Sequence, residues 1–151
     1  MGKSTFLVSL LFVLIAQPLF AQENASDILG KAYVQAKEEN KNVFLIFHAS
    51  WCGWCKKMDA FTFQDPKLIE YINDQFYAVK LNAENTNRTF EFMGKKYSEA
   101  QMAAAMRVQS FPNFVIIDPT LKNITQLPGY REPDQFLEGL GYIVKKGFRG
   151  Q

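Results

Sequence analysis

The 151-residue chain carries 17 basic and 15 acidic side chains, a formal charge of +2, with 48% hydrophobic and 15% aromatic residues. That composition supplies one domain with its own core and excludes a disordered chain. The near balance of charge gives no footprint for nucleic acid and no single-sign tail.

The chain opens with Lys3 and an almost wholly apolar run from Phe6 to Phe20, closed by the small residue Ala21. This is the layout of a cleavable secretory signal, so residues 1–21 are expected to be a leader and 22–151 the folded domain. The run contains Pro18 and falls short of the roughly 20 residues a spanning helix needs, so no stable membrane insertion is expected after cleavage. From Ser26 to Asn40, Ile28, Leu29, Ala32, Tyr33 and Ala36 recur at helical spacing, with Ser26 or Asp27 as the cap. "NVFLIFHA" then reads as a strand buried on both faces.

The only two cysteines follow at once, in "SWCGWCKK". A helix is predicted from Cys52 to about Phe63, with Met58 and Phe61 available to face the core, and a second from Pro66 through "PKLIEYINDQF". "YAVKLNA" reads as a second buried strand. "ENTNRTFEFMGKKYS" carries turn formers suited to a small hairpin or loop, and "SEAQMAAAMRV" reads as a helix. "NFVIID" and "ITQLP" are strands joined by the turn "PTLKN", and "EPDQFLEGLGYIVKK" is the last helix. Strands alternating with helices, then two adjacent strands, predict an α/β fold: a central mixed sheet flanked by helices, with a loop/helix extension between the second and third core strands.

Cys52 and Cys55 admit three chemistries. As a staple the pair closes almost no loop and constrains little of the unfolded chain. As a structural zinc site it lacks ligands, since the chain has one histidine, His48, and zinc wants four donors. Haem attachment needs a histidine where Lys56 stands. A cysteine between a buried strand and a helix instead meets unpaired N–H groups and the positive end of the helix dipole, which favour its thiolate. Cys52 is therefore the expected nucleophile, and Cys55, one turn onward on the same face, the resolving thiol. Neither a cofactor nor a metal is implied. Lys56 and Lys57 read as a solvated face.

Strand, "WCGWCK", helix and a later proline before a strand resemble the thioredoxin superfamily. The resemblance runs from about Val43 to Val144 through "FHASWCGWCKKM", "AVKLNAE", "RVQSFPNFVIID" and "LPGYREPDQFLEGL", and is strongest to exported, periplasmic thioredoxin-like proteins. It implies a thiol:disulfide oxidoreductase, most simply a protein-disulfide reductase, acting on disulfide-containing proteins as a monomer. A membrane disulfide reductase is the implied electron donor. It also implies that Pro112 is the family's cis-proline beside the dithiol, and that Trp51, Gly53, Trp54, Phe111 and Pro112 meet substrate, with Tyr130 on the same surface.

The sequence departs from that pattern at several positions. Ile46 stands where thioredoxins carry a buried aspartate, leaving water, Glu84 or Lys80 to move the proton of Cys55. Gly53-Trp54 replaces Gly-Pro, so the redox direction does not carry over, and Asn113 replaces the usual threonine. His48 reads either as a half-buried strand-end residue or as a charge tuning Cys52. The sequons at Asn24, Asn87 and Asn123 carry no weight in a bacterial chain. The competing reading is a thioredoxin-fold binding or chaperone module without redox turnover.

Overall fold

The structure, a computed structural model, describes residues 28–146. The expected leader and both candidate caps of the first helix lie outside them. In chain order the elements are α1 (Ile28–Glu38), β1 (Asn42–His48), α2 (Gly53–Ala60), a 3-10 turn (Thr62–Gln64), α3 (Pro66–Gln75), β2 (Phe76–Asn82), β3 (Thr89–Phe92), β4 (Lys95–Ser98), α4 (Glu99–Ala105), β5 (Asn113–Ile117), β6 (Ile124–Pro128) and α5 (Pro133–Lys146).

The sheet order is β2-β1-β5-β6. β1 runs parallel to β2, antiparallel to β5, and β5 antiparallel to β6. Period-2 alternation divides the core in two. Val43, Leu45, Phe47, Val79, Leu81, Val115 and Ile117 face α1, α4 and the β3–β4 hairpin. Phe44, Phe114 and Ile116 face the opposite way, against Met58 of α2, Leu68 and Ile72 of α3, and Phe136, Leu140 and Ile143 of α5. The last three recur at i, i+4 and i+7, the stripe that lets one helix face cover a sheet.

The expected mixed sheet with helices on both faces is present, and the extension folds as a hairpin followed by α4. Its two-residue turn has Met93 at φ 53° and Gly94 at φ 72°, the paired left-handed geometry that matches strand twist. Ser98 and Gln101 form a capping box that starts α4: the Gln101 N–H donates to Ser98 Oγ at 3.1 Å and the Ser98 N–H to Gln101 Oε1 at 2.8 Å. Beneath it the buried Glu99 carboxylate pairs with Arg88 and accepts the Asn82 N–H at 3.3 Å, tying the extension to the end of β2.

Two expectations are corrected. β2 is an edge strand, not one buried on both faces, because β1 spends its other edge on β5; Ala78 and Lys80 are exposed accordingly. The helix after the cysteines ends at Ala60, and Phe61, expected to face the core, is 62% exposed. Phe61 leaves helical geometry at φ −127°, ψ −65°, and the 3-10 turn carries Phe63 inward instead, edge-on to Phe114 and Phe136.

Candidate active site

Cys52 caps α2. Its backbone is extended at φ −75°, ψ 100°, and its Sγ accepts the Cys55 N–H at 3.0 Å. A sulfur thus stands where Ser or Asp stands in most helix caps, among N–H groups that have no partner inside the helix. Cys52 and Cys55 are disulfide-bonded, with Cα atoms 5.3 Å apart. Both are buried, packed with Ala49 and against Phe111.

The turn that delivers Cys52 is fastened at two points. The Cys52 N–H donates to Ala49 O at 3.1 Å, and the Ser50 N–H donates to the Glu84 carboxylate at 2.6 Å. Bonds from the Ser50 backbone and side chain, with help from the Trp51 side chain, hold the Glu84 carboxyl below the usual carboxylate range. The Phe111–Pro112 peptide bond is cis. Pro112 is buried, and its C=O accepts the Gly129 N–H at 2.8 Å.

A family model of the thioredoxin-like domain matches residues 29–143. The chain belongs to the thioredoxin-like domain family. Among curated proteins it is similar to the thiol:disulfide interchange protein DsbD of Photorhabdus laumondii, 25% identical over 114 residues that make up 74% of this chain and 18% of that protein. The chain spans less than a fifth of the first curated relatives it matches, 18% of one and 14% of the next. Among solved structures, a thioredoxin-fold protein from Helicobacter pylori superposes with a TM-score of 0.64 at 26% identity, covering 80% of this chain and 86% of that one. The oxidised C-terminal domain of Neisseria meningitidis DsbD superposes at 0.58 and 20% identity, covering 75% and 90%.

Within this thioredoxin-like fold the expected site residues fall into two groups beside the dithiol. Trp51 and Phe111 meet edge to face at 5.8 Å, Trp51 being 70% exposed. Trp54, 58% exposed, lies against Tyr130 at 5.0 Å. A Cβ built on Gly53 would meet nothing within 4 Å, so the surface between the cysteines is open. Lys57 is exposed, as its reading as part of a solvated face expects, and also lies over Tyr130 at 4.6 Å and Trp54 at 5.4 Å.

Ile46, at the position of the missing aspartate, is half-buried and lines a groove of about 280 Å³ with Lys80, Asp59 and Phe63. Lys80 bonds Asp59 at 2.5 Å. Asp59 is the carboxylate that sequence reading passed over. Its signal was its place four residues after Cys55, one turn along the same helix. Glu84 is engaged by the turn before Cys52. His48 is half-buried at the end of β1, with its C=O bonded to the Ala83 N–H; burial chiefly, then Lys80, lowers its pKa, so the imidazole is neutral at pH 7. Asn113 is buried and bonded through Nδ2 to Gln126 Oε1 at 3.3 Å. Among the described residues no cluster of His, Cys, Asp and Glu could hold a metal, and no helix is long and apolar enough to cross a membrane.

Proposed function

We propose that this chain is a thiol:disulfide oxidoreductase that reduces disulfides in other proteins. The observation that carries this reading is Cys52 at the N-terminus of α2, its sulfur accepting the Cys55 N–H. In the reduced chain that N–H and the helix dipole stabilise the Cys52 thiolate. The thiolate attacks one sulfur of a substrate disulfide, forming a mixed disulfide and expelling the other sulfur as a thiolate. Cys55, deprotonated, then attacks Cys52 Sγ; the Cys52–Cys55 disulfide forms and the substrate leaves with its second thiolate. Two electrons have passed to the substrate, and a second dithiol protein must return them.

Asp59, one turn beyond Cys55 and open to the groove beside Ile46, is the carboxylate suited to take the Cys55 proton, directly or through water. Trp51, Gly53, Trp54, Phe111 and Pro112 form the surface that meets the substrate. The reducing direction is supported by charge. Lys57 is engaged by two rings and Glu132, Lys80 by Asp59, and His48 is neutral, so these three groups add no free cation to stabilise a thiolate. A less stabilised thiolate makes the dithiol the better electron donor.

The apolar segment behind Lys3 supports export, and the likeness to a disulfide interchange protein supports the periplasm and a membrane reductase as electron source. The test is reduction of a disulfide protein by the pre-reduced chain, with a potential measured against glutathione. Cys52→Ser should abolish turnover, and the potential should lie below roughly −200 mV, toward the thioredoxin end of the range. A pre-reduced wild-type chain with no turnover would instead support a binding module, and undiminished turnover in Cys52→Ser would remove Cys52 as the nucleophile.

A further inference from the structure

One side of the dithiol is built from more parts than attack and resolution use. Trp54 lies on Tyr130; Lys57 sits over both rings; and Glu132 accepts the Tyr130 hydroxyl and lies 4.0 Å from Lys57. Trp54 and Lys57 belong to α2, whereas Tyr130 and Glu132 belong to the loop between β6 and α5. That loop is fixed to α2 independently. The fully buried Thr62 donates its hydroxyl to Arg131 O at 2.7 Å, and the Arg131 N–H meets Met58 Sδ at 3.5 Å. Arg131 in turn bonds Pro128 O and Gly129 O, closing the loop on itself.

Two physical consequences follow. First, Trp54 keeps 58% of its surface exposed while one side of it lies against Tyr130. The clasp holds the ring out as a wall, so little side-chain freedom is left to lose when something docks on it. Second, the formal charges of the wall, Lys57 and Glu132, compensate each other and are held by the rings. Trp51 and Phe111 form a second aromatic pair beside the same sulfurs, and the Glu84 carboxylate there is bonded to Ser50. The dithiol therefore lies between two aromatic pairs, with Lys57, Glu132 and Glu84 each engaged within that surface, which suits a large apolar side chain better than a small, anionic disulfide.

We propose that the Trp54–Tyr130 wall, clasped by Lys57 and Glu132, makes this chain select extended polypeptide disulfides bearing an aromatic or large aliphatic residue next to the attacked cysteine over small anionic disulfides. The inference rests on the oxidoreductase reading and adds the substrate class. Trp54 and Tyr130 are its specificity residues, and Lys57 and Glu132 are positioning residues that act through them.

The test uses the pre-reduced full chain and three oxidised probes: a disulfide-linked dimer of the peptide Gly-Phe-Cys-Phe-Gly, the matching dimer of Gly-Ser-Cys-Ser-Gly, and glutathione disulfide. The wild-type kcat/KM should favour the phenylalanine peptide over the other two by roughly tenfold or more, the scale of one well-packed interfacial aromatic. Tyr130→Ala, which leaves the dithiol motif untouched, should bring the ratio of the two peptides close to one, mainly through KM. Lys57→Met should lower the same ratio, and Lys57→Arg should restore it, because a guanidinium also stacks on both rings. Equal wild-type rates with all three probes, or a ratio unmoved by Tyr130→Ala, overturns the inference while leaving the oxidoreductase reading intact. A wild-type chain that reduces none of the three overturns both.

Discussion

Reducing the Cys52–Cys55 disulfide should lower the stability of the fold by a small, calculable amount, and the sign reports the direction of the reaction. The two cysteines are three residues apart, closing a loop of about four residues. The chain-entropy relation then gives about 1.9 kcal/mol of stabilisation for the oxidised form, from restriction of the unfolded chain. Opposing it is the reduced form's thiolate cap on α2, on the scale of other N-caps at about 1 kcal/mol. The difference leaves the oxidised protein more stable by about 1 kcal/mol. Folding and reduction form one thermodynamic cycle, so this excess is also the amount by which the fold favours the disulfide over that in the unfolded chain. It corresponds to about 20 mV toward the reducing end. Urea denaturation of the two forms, followed by far-UV circular dichroism, measures it directly: the midpoint of the oxidised form should be higher at unchanged slope. A reduced form as stable as the oxidised one, or more so, would refute the reasoning and mark the chain as an oxidant, since strong oxidants owe their potential to a stabilised reduced state.

Replacing the resolving thiol by Cys55→Ser should arrest the reaction at the mixed disulfide, seen on a non-reducing gel as an adduct that dithiothreitol removes; the absence of an adduct with a reducible substrate would place the first attack elsewhere. Glu84→Gln should loosen the Ser50–Trp51 turn, read as a changed Trp emission. In the wild type the hydrogen bonds from Ser50 depress the Glu84 pKa below its ordinary value of 4.5. The anchoring is therefore fully present above pH 4.5 and lost as the pH falls through the depressed folded value, so the emission should be flat from pH 5 to 8 in a titration. Phe136→Ala removes a fully buried ring in contact with Phe44, Phe63 and Phe114 and should cost about 3–5 kcal/mol in urea denaturation.

The order of elements was legible because each core segment carries a strong local signal. "NFVII" is apolar after Asn113 and becomes β5, buried at all five positions. Phe136, Leu140 and Ile143 keep helical period and become the buried stripe of α5. What local pattern lacks is the neighbour. "YAVKLNA" reads as a second buried strand from its apolar residues, yet it is a part-exposed edge strand, because sheet order depends on which strand β1 pairs with on each side, and no window of sequence contains that choice. Phe61 fails for a similar reason. Its spacing from Met58 suits a continuing helix, but the turn at Thr62, buried to bond the loop before α5, ends the helix and sends Phe61 outward and Phe63 inward.

At the site, the cysteines were legible because their chemistry depends on local features: one strand end, one helix start and one turn of spacing. The groups around them depend on distant pairings. Asp59 gains meaning only when β2 brings Lys80 across to α2, and the exposed Lys57 meets its ring partner Tyr130 only when residues 130–132 arrive from elsewhere in the chain. The same distinction explains why Ile46 is tolerable at a position where relatives of known pattern hold an acid. On the proposed reading the group that takes the Cys55 proton need not stand on a particular strand, and α2 carries a carboxylate, Asp59, one turn after Cys55. Asp59 and Ile46 line one groove that water reaches, so the carboxylate stands on the α2 side of it, beside a lysine that compensates its charge.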